Sequence, residues 1–192
     1  MIMKYYGPSH LKLLLIIALF SFIASAQEND TSIKTSYDEE TGKTTISLPL
    51  VKLPRNKRSF AVGAFFQFAG TNPEKRPCCV TIVFASIGKK QFEYEDNHRI
   101  SFLADKEKLD FSDAFWKESD HATAFVIAGI AYPEEVYLGM ASEKFLKIAH
   151  SKTIKAQIGS FKFEFTEAQR RGFVELAAKL DQSVKAPNLN SQ

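Results

Sequence analysis

Cysteine is scarce in this chain: only two of its 192 residues are cysteines, and they are the neighbours Cys78 and Cys79. Two cysteines cannot hold a domain together, so the fold must depend on an apolar core. Adjacent residues of a strand point to opposite faces, so a bridge between these two would be strained. Three interpretations stay open: one buried and one partly buried thiol, a strained redox disulfide, or a bridge to another chain.

Motifs for catalysis and metal binding are also missing. The sequence contains no Gly-x-Ser-x-Gly turn, no Cys-x-x-Cys, His-x-His or His-Glu-x-x-His spacing, and no glycine-rich phosphate loop. The histidines that follow the first segment, His98, His121 and His150, are far apart along the chain. We therefore predict no catalytic residue, no cofactor and no metal site, which argues against an enzyme.

Two arrangements keep an unrecognised hydrolase open as a minor alternative. Asp120 and His121 are neighbours in a predicted loop, but catalytic roles need partners in space, which adjacency does not supply. Glu134 and Glu135 follow Pro133, and neighbouring carboxyls on a turn usually diverge into solvent. We expect neither pair to form an acid–base site.

The first 26 residues have the pattern of an export signal. Lys4 and Lys12 make the start basic, and an apolar run from Leu13 to Ile23 is interrupted only by Ser21. Ala24-Ser25-Ala26 then supplies a small-residue cleavage motif, which predicts a mature chain from Gln27 in the periplasm or secreted. The run is shorter than the roughly 20 residues of a membrane-spanning helix. An uncleaved membrane anchor is the alternative.

Removal of this segment leaves a nearly neutral chain. The segment holds two of the 25 basic residues and none of the 22 acidic ones, which leaves 23 against 22. Nucleic-acid binding needs a concentrated basic surface, so we predict no nucleic-acid partner. Thr123–Tyr132 is apolar but too short to cross a membrane, so no span is expected after cleavage. Residues 27–192 form one predicted domain, with a disordered tail from about residue 186.

Alternating apolar residues predict nine or ten short strands along this domain. Ser59–Ala69 and Val80–Ala85 are apolar on both faces, which is typical of strands in the centre of a sheet. Pro49 predicts that the strand Thr44–Val51 lies at an edge or breaks there. Ser142 is a predicted cap for a short helix over Glu143–His150. The fold class is mainly β (α+β): an antiparallel β-sandwich or strongly bent sheet with this helix and a C-terminal amphipathic helix packed on it.

The stretch from Thr153 to Lys185 has the clearest secondary-structure signals in the sequence. Gly159-Ser160 suits a two-residue type II′ turn, which fixes the register of the two strands beside it. Thr166 and Gln169 form a capping box at the start of the final helix. The register pairs Ile158 with Phe161, Ala156 with Phe163 and Ile154 with Phe165 inside, and Lys155 with Glu164 outside; the helix stripe is Phe173, Leu176, Ala177, Leu180 and Val184.

The same stretch, together with Phe145-Leu-Lys-Ile-Ala149 and Phe102-Leu-Ala-Asp105, resembles the C-terminal part of exported bacterial proteins that end in a hairpin followed by a helix. The motifs that carry the resemblance are structural. No activity is established for those proteins, so the resemblance implies a fold and an export route and transfers no functional residue.

Two features are explained least well by core packing. Phe115-Trp116 is an aromatic pair in a stretch, Ser112–His121, that we predict to be irregular. Arg55, Lys57 and Arg58 form a basic loop that could contact an anionic surface.

We predict an exported, non-catalytic binding or assembly module whose partner is a protein or another envelope component. The alternative is a carrier of a small apolar ligand, with a cavity of roughly 300 Å³ or more lined by phenylalanines.

Overall fold

The computed structural model describes residues 31–53, 60–73, 75–88, 94–119 and 132–182. These ranges contain ten strands and two helices, and every strand pairing is antiparallel. The predicted mainly β, α+β fold with a C-terminal helix is therefore confirmed. The predicted leader and the predicted tail from residue 186 lie outside these ranges, so both remain predictions. All of the apolar stretch Thr123–Tyr132 except Tyr132 also lies outside them.

The strands form two sheets. The six-stranded sheet has the order β1-β2-β3-β4-β8-β7 and the four-stranded sheet has the order β10-β9-β5-β6. The strands are β1 Lys34–Asp38, β2 Lys43–Lys52, β3 Phe60–Ala69, β4 Cys79–Gly88, β5 Ile100–Ala104, β6 Glu107–Phe111, β7 Phe115–Glu118, β8 Tyr132–Ala141, β9 Ile154–Ile158 and β10 Phe161–Glu164, and the helices are α1 Ser142–Ala149 and α2 Glu167–Gln182. No helix in the described ranges combines the length and apolarity needed to cross a membrane.

The doubly apolar strands β3 and β4 lie in the centre of the six-stranded sheet, as their composition predicts. The break predicted at Pro49 is also present, because the β2–β3 register shifts between Leu48 and Val51. Pairing of β1 with β2 ends at Ser47, so Pro49 has no neighbour on that side in the described residues. Proline has no amide hydrogen to donate to a neighbouring strand, so it is tolerated at this position.

The predicted register of the β9–β10 hairpin is confirmed at each pair. Ile158 lies opposite Phe161, and the amide of Phe165 donates to the carbonyl of Ile154 at 2.9 Å. Gly159 has φ +55°, which the first position of a type II′ turn requires. A side chain at Gly159 would also collide with the carbonyl of Asn97, because a Cβ there would be 2.7 Å from that oxygen.

Helix α2 begins with the predicted capping box. The amide of Thr166 donates to the Gln169 side chain at 2.9 Å, and the amide of Gln169 approaches the Thr166 hydroxyl at 3.3 Å. Four members of the predicted stripe, Phe173, Leu176, Ala177 and Leu180, are fully buried. Gln169 is buried as well, and its side chain reaches the carbonyl of Val51 at 3.3 Å. The helix is therefore docked on β2, and the box contributes to packing as well as to capping.

The inner faces of the two sheets meet through aromatic rings. Phe84 of the six-stranded sheet lies 6.3 Å from Phe102 and 6.2 Å from Phe163 of the four-stranded sheet, measured between ring centroids. Phe60 lies 5.1 Å from Phe163. Offset and edge-on ring pairs at such distances are favourable beyond the area they bury. Much of the phenylalanine content thus forms the contact between the sheets.

Three local predictions were wrong. The stretch around Phe115 forms strand β7, although we expected it to be irregular. Pro133 lies inside β8, so Glu134 and Glu135 lie in a strand and not on a turn. Ser142 caps no helix: the N-cap is Ala141, and the Ser142 hydroxyl instead donates to the carbonyl of Pro77 at 2.5 Å. In each case a partner distant in sequence overrides the local signal.

Candidate functional site

The outward side of the six-stranded sheet carries a continuous line of apolar residues. Strand pairing places Phe115 beside Tyr137, Tyr137 beside Val83, and Val83 beside Gly63. Leu50 completes the line, because its Cδ2 atom would lie 3.3 Å from a Cβ on Gly63. We call these five residues the apolar row. It crosses strands β7, β8, β4, β3 and β2.

The ends of the apolar row are its most accessible parts. Phe115 is 63% exposed and Leu50 is 43% exposed, whereas Val83 and Tyr137 are half-buried. An exposed phenylalanine on a strand costs free energy in water unless something covers it, so such side chains mark contact surfaces when they are contiguous with others. The side chains of the apolar row are contiguous in this sense.

Charged and polar residues lie along both sides of the apolar row, together with the apolar residues Ala61, Ala85 and Phe65. On one side, Lys117 lies opposite Glu135 and Lys52 lies opposite Ala61. On the other side, the neighbouring line of paired residues runs from Thr81 on β4 through Phe65 on β3 and Ser47 on β2 to Lys34 on β1. An apolar centre with a polar rim is the arrangement that protein-binding surfaces have.

A buried carboxyl group holds the strand that presents Phe115. Glu134 is only 1% exposed and lies on the inner face of β8. Its carboxyl accepts hydrogen bonds from the Trp116 indole, the Ser86 hydroxyl and the Tyr94 amide, each at 3.0 Å. Burial of a carboxyl is costly unless such donors compensate it. Trp116 is therefore an anchor, and the adjacent Phe115 points to the opposite side of the sheet.

The sequence prediction that Glu134 and Glu135 diverge into solvent on a turn was wrong for Glu134. The signal that reveals its burial is the alternation of β8, in which Glu134 shares a face with Val136, Leu138 and Met140. A glutamate at an inward position of an otherwise apolar strand indicates a buried carboxyl group that accepts hydrogen bonds. Pro133 obscured this signal, because a proline before the two glutamates suggested a turn.

The outward side of the four-stranded sheet is different. It carries one line of Glu164, Lys155, Leu103 and Lys108, and a second of Lys162, Gln157, Ser101 and Asp110. We call these eight residues the polar face. Depressions of about 460 and about 580 Å³ lie along it, and both are lined by Ser101, Lys108 and Gln157.

Ion pairs on the polar face are long or fully accessible. Lys155 is 4.0 Å from Glu164, and Lys108 is 2.9 Å from Asp110. The side chains in both pairs are more than half exposed, so solvent screens their attraction. The polar face is a solvated surface with mixed charge.

The structure separates the residues that we predicted to contact a partner. Phe115 is exposed on the outer side of β7, and Trp116 is half-buried on the inner side against Glu134. They do not form an aromatic pair, because successive residues of a strand face opposite ways. Arg55, Lys57 and Arg58 lie outside the described residues, so the basic-loop prediction stays a prediction.

The residues considered for catalysis remain scattered where they are described. The Nδ1 atom of His98 contacts the backbone carbonyls of Tyr94 and Glu95, at 3.1 and 3.2 Å, and so orders a bend. His150 is exposed at the end of α1, and His121 lies outside the described residues. Within the described ranges, no group of three or more histidine, cysteine or acidic side chains could hold a metal ion.

The space between the four-stranded sheet and α2 bears on the carrier hypothesis. Phe165 and Phe145 flank Phe173, with ring centroids 5.0 and 5.4 Å away. Phe173 and Leu176 are fully buried beside them. These buried side chains pack against one another, and both depressions of the polar face lie on the outward side of the four-stranded sheet.

The cysteine pair is accessible. Cys78 and Cys79 are both exposed, so the interpretation of one buried and one partly buried thiol was wrong. Their Sγ atoms are 2.7 Å apart. The hydrogen bond with Cys78, followed by partial burial and the nearby charges of Cys78 and Glu143, raises the pKa of the Cys79 thiol.

Comparison of the chain with protein-family models, with curated proteins and with solved structures finds no match. The resemblance to exported bacterial proteins therefore stays a prediction.

Proposed function

We propose that this chain is a non-catalytic binding or assembly module that works outside the cytoplasm, and that the apolar row is its contact surface. The observation that carries the proposal is the unbroken line from Phe115 to Leu50 across five strands, with its two most exposed side chains at the ends. The predicted leader, Met1–Ala26, supports the location.

The support beneath Phe115 favours binding over incidental exposure. The hydrogen bond from Trp116 to Glu134 ties β7 to β8, and the bonds from Ser86 and Tyr94 fix the Glu134 carboxyl, so Phe115 is presented from a fixed backbone. A contact residue that is already ordered loses little conformational entropy when a partner binds. Exposed aromatic residues on such a base are frequent hot spots of protein interfaces.

The chemistry of the row indicates a protein partner with an apolar patch. Phe115, Tyr137 and Val83 offer area and almost no hydrogen-bonding groups, apart from the Tyr137 hydroxyl, which donates to Glu135. A sugar or a phosphate would need several polar donors on this line, and the row does not supply them. Lys117, Lys52 and Lys34 at the rim would favour acidic residues around the apolar patch of the partner.

A photo-crosslinking amino acid at position 115 tests the proposal in cells that produce the full chain. We expect a discrete cross-linked protein from position 115 and from position 50, because both ends of the row should contact the same partner. The matched control is position 103, where Leu103 is 39% exposed at the centre of the polar face. Equal cross-linking from position 103 and position 115, or none from position 115, would refute the assignment of the contact surface.

A binding measurement with the captured protein follows. Phe115→Ser should weaken binding by roughly tenfold or more, as truncation of an interface hot spot does. Leu103→Ser, which removes an exposed apolar residue of the other sheet, should leave the affinity unchanged. Sequencing of the mature N-terminus tests the location separately, with Gln27 as the expected first residue.

A further inference from the structure

The two cysteines occupy a defined place at the junction of β4 and α1. Cys79 is the first residue of β4 and pairs with Ala141, and the Ser142 amide at the start of α1 donates to the Cys78 carbonyl at 2.9 Å. Just before them, Arg76 forms an ion pair with Asp181 at 2.8 Å. The thiols therefore project from a backbone that both helices hold.

Three properties make this pair chemically competent. Both thiols are exposed, so a disulfide in solution can reach them. Their sulfur atoms are 2.7 Å apart, so a thiol that has reacted has its partner beside it. They are the only cysteines of the sequence, so no other thiol of the chain competes for either sulfur.

We propose that Cys78 and Cys79 form a thiol–disulfide exchange site whose substrate is a disulfide and whose oxidised product is a reversible bridge within this chain. The site is independent of the apolar row. Reversibility follows from the position of the pair, because a bridge between neighbouring residues is strained and strained bridges are reduced easily.

The exchange proceeds in two steps. The Cys78 thiolate attacks one sulfur of the disulfide R–S–S–R, a Cys78–S–R bond forms, and the first R–S⁻ leaves and takes up a proton. Cys79 then loses its proton and attacks the Cys78 sulfur, which releases the second R–S⁻. The chain loses two hydrogen atoms in total, and the oxidant becomes two R–SH molecules. The raised pKa of Cys79 leaves less of it as thiolate, so it is assigned the second step, in which the Cys78 sulfur is already beside it.

We expect oxidation of Cys78 and Cys79 to alter the contacts at the start of α1. Neighbouring Cα atoms are about 3.8 Å apart, whereas bridged cysteines usually have Cα atoms roughly 4.4–6.8 Å apart. The peptide bond fixes the separation of these two Cα atoms, so we expect the strain of ring closure to be taken up by the backbone torsion angles at Cys78 and Cys79. The hydrogen bond from Ser142 and the Cys79–Ala141 pair lie at this place, so both should weaken in the oxidised chain.

The test uses purified full chain, equilibrated with glutathione buffers of rising disulfide content, then quenched and weighed by intact mass spectrometry. We expect a monomer that is lighter by about 2 Da, from the two hydrogens lost, and that returns to its starting mass in excess reduced glutathione. A chain that keeps its mass, a stable glutathione adduct, or a disulfide-linked dimer would each overturn the proposal.

Two variants separate the steps. Cys79→Ser should stop at the mixed disulfide and keep one glutathione on Cys78. The double variant Cys78→Ser/Cys79→Ser should never change mass, which controls for modification elsewhere. Hydrogen exchange of the Ser142 amide gives a readout besides mass: we expect faster exchange in the oxidised wild type, and equal exchange in both redox states would contradict the coupling to α1.

Discussion

The outward sides of the two sheets differ although their strands are built alike. Most inward residues of both sheets are apolar, as at Ile82, Phe84 and Phe102, and Glu134 and Ser86 are exceptions. The outward positions of the six-stranded sheet form the apolar row, and those of the four-stranded sheet form the polar face. The inward alternation thus specifies the fold, and the outward positions specify which side can bind a partner by burying apolar area.

The layers behind these two sides also differ. Behind the apolar row, Glu134 links β8 to β7 and β4 through hydrogen bonds with Trp116 and Ser86. Behind the polar face, Phe163 stacks on Phe161 and Phe165, with centroids 5.4 and 5.7 Å apart. Hydrogen bonds restrict direction more sharply than ring packing does, so the binding side should be the more rigidly positioned of the two.

The largest expected effect is the loss of the buried carboxyl. Glu134→Ala leaves the three donors without this acceptor and should lower the free energy of unfolding by about 3–5 kcal/mol. Glu135→Ala, one residue along and on the outer side, is the control and should cost about 1 kcal/mol or less. Urea unfolding measures both. Similar losses in the two variants would mean that Glu134 does not support the apolar row.

A smaller effect is expected within the apolar row itself. A Cβ on Gly63 would lie 2.9 Å from the Leu48 carbonyl and 3.3 Å from Leu50, so Gly63→Ala must displace the irregular part of β2. We expect a loss of about 1–3 kcal/mol in the free energy of unfolding. Gly139→Ala on the same side of the sheet is the control, since nothing lies within 4 Å of its Cβ position. Equal stability of the two variants would show that Gly63 is not a close-packing position.

The polar face should respond weakly to changes of charge. Glu164→Lys replaces the attraction to Lys155, at 4.0 Å between two exposed side chains, with a repulsion. We expect a loss below about 1 kcal/mol that shrinks as salt is added, because exposed charges are screened. Thermal unfolding at low and high salt measures it. A loss as large as that of Gly63→Ala would show that the polar face is structural and not merely solvated.

The smallest expected effect is a pH dependence at the β1–β2 turn, at the edge of the six-stranded sheet. The Thr41 hydroxyl, and then the amides of Thr41 and Glu40, lower the pKa of Asp38 by donating to its carboxyl. The folded pKa is below the unfolded value, so the turn is stabilised above the unfolded pKa and loses this contribution as the pH falls through the folded pKa. Asp38→Asn should remove this acid-range dependence. Glu39→Gln, which keeps the Asp38 contacts, should preserve it, as unfolding midpoints across the acid range would show.

The β9–β10 hairpin and the start of α2 were predictable in detail because their signals are local. The two-residue turn at Gly159 sets the β9–β10 register, and Thr166 with Gln169 starts α2. The central position of β3 and β4 was also predictable, because both of their faces are apolar. These inferences require only residues within a few positions of one another, or the alternation within a single strand.

The candidate site was predictable only in part. Phe115 was identified as a residue for partner contact, but its supposed companion Trp116 turned out to be the anchor of β7. Strand β7 is only four residues long, so its alternation is too short to be recognised without its partner β8. Serine is a common helix cap, which led to the prediction for Ser142, yet its hydroxyl donates to the carbonyl of Pro77, 65 positions earlier. Contacts at this separation leave no local pattern.

By itself, the sequence determined the mainly β class, the terminal hairpin and helix, and the strands that must be covered on both sides, because turns, caps and alternation act over short stretches of chain. The tertiary structure alone decided which outward positions align into the apolar row, where the Glu134 carboxyl finds its donors, and how the Cys78–Cys79 pair is set against α1. Those outcomes depend on which strands become neighbours. The pairing is determined by the packing of the whole core, and no single segment encodes it.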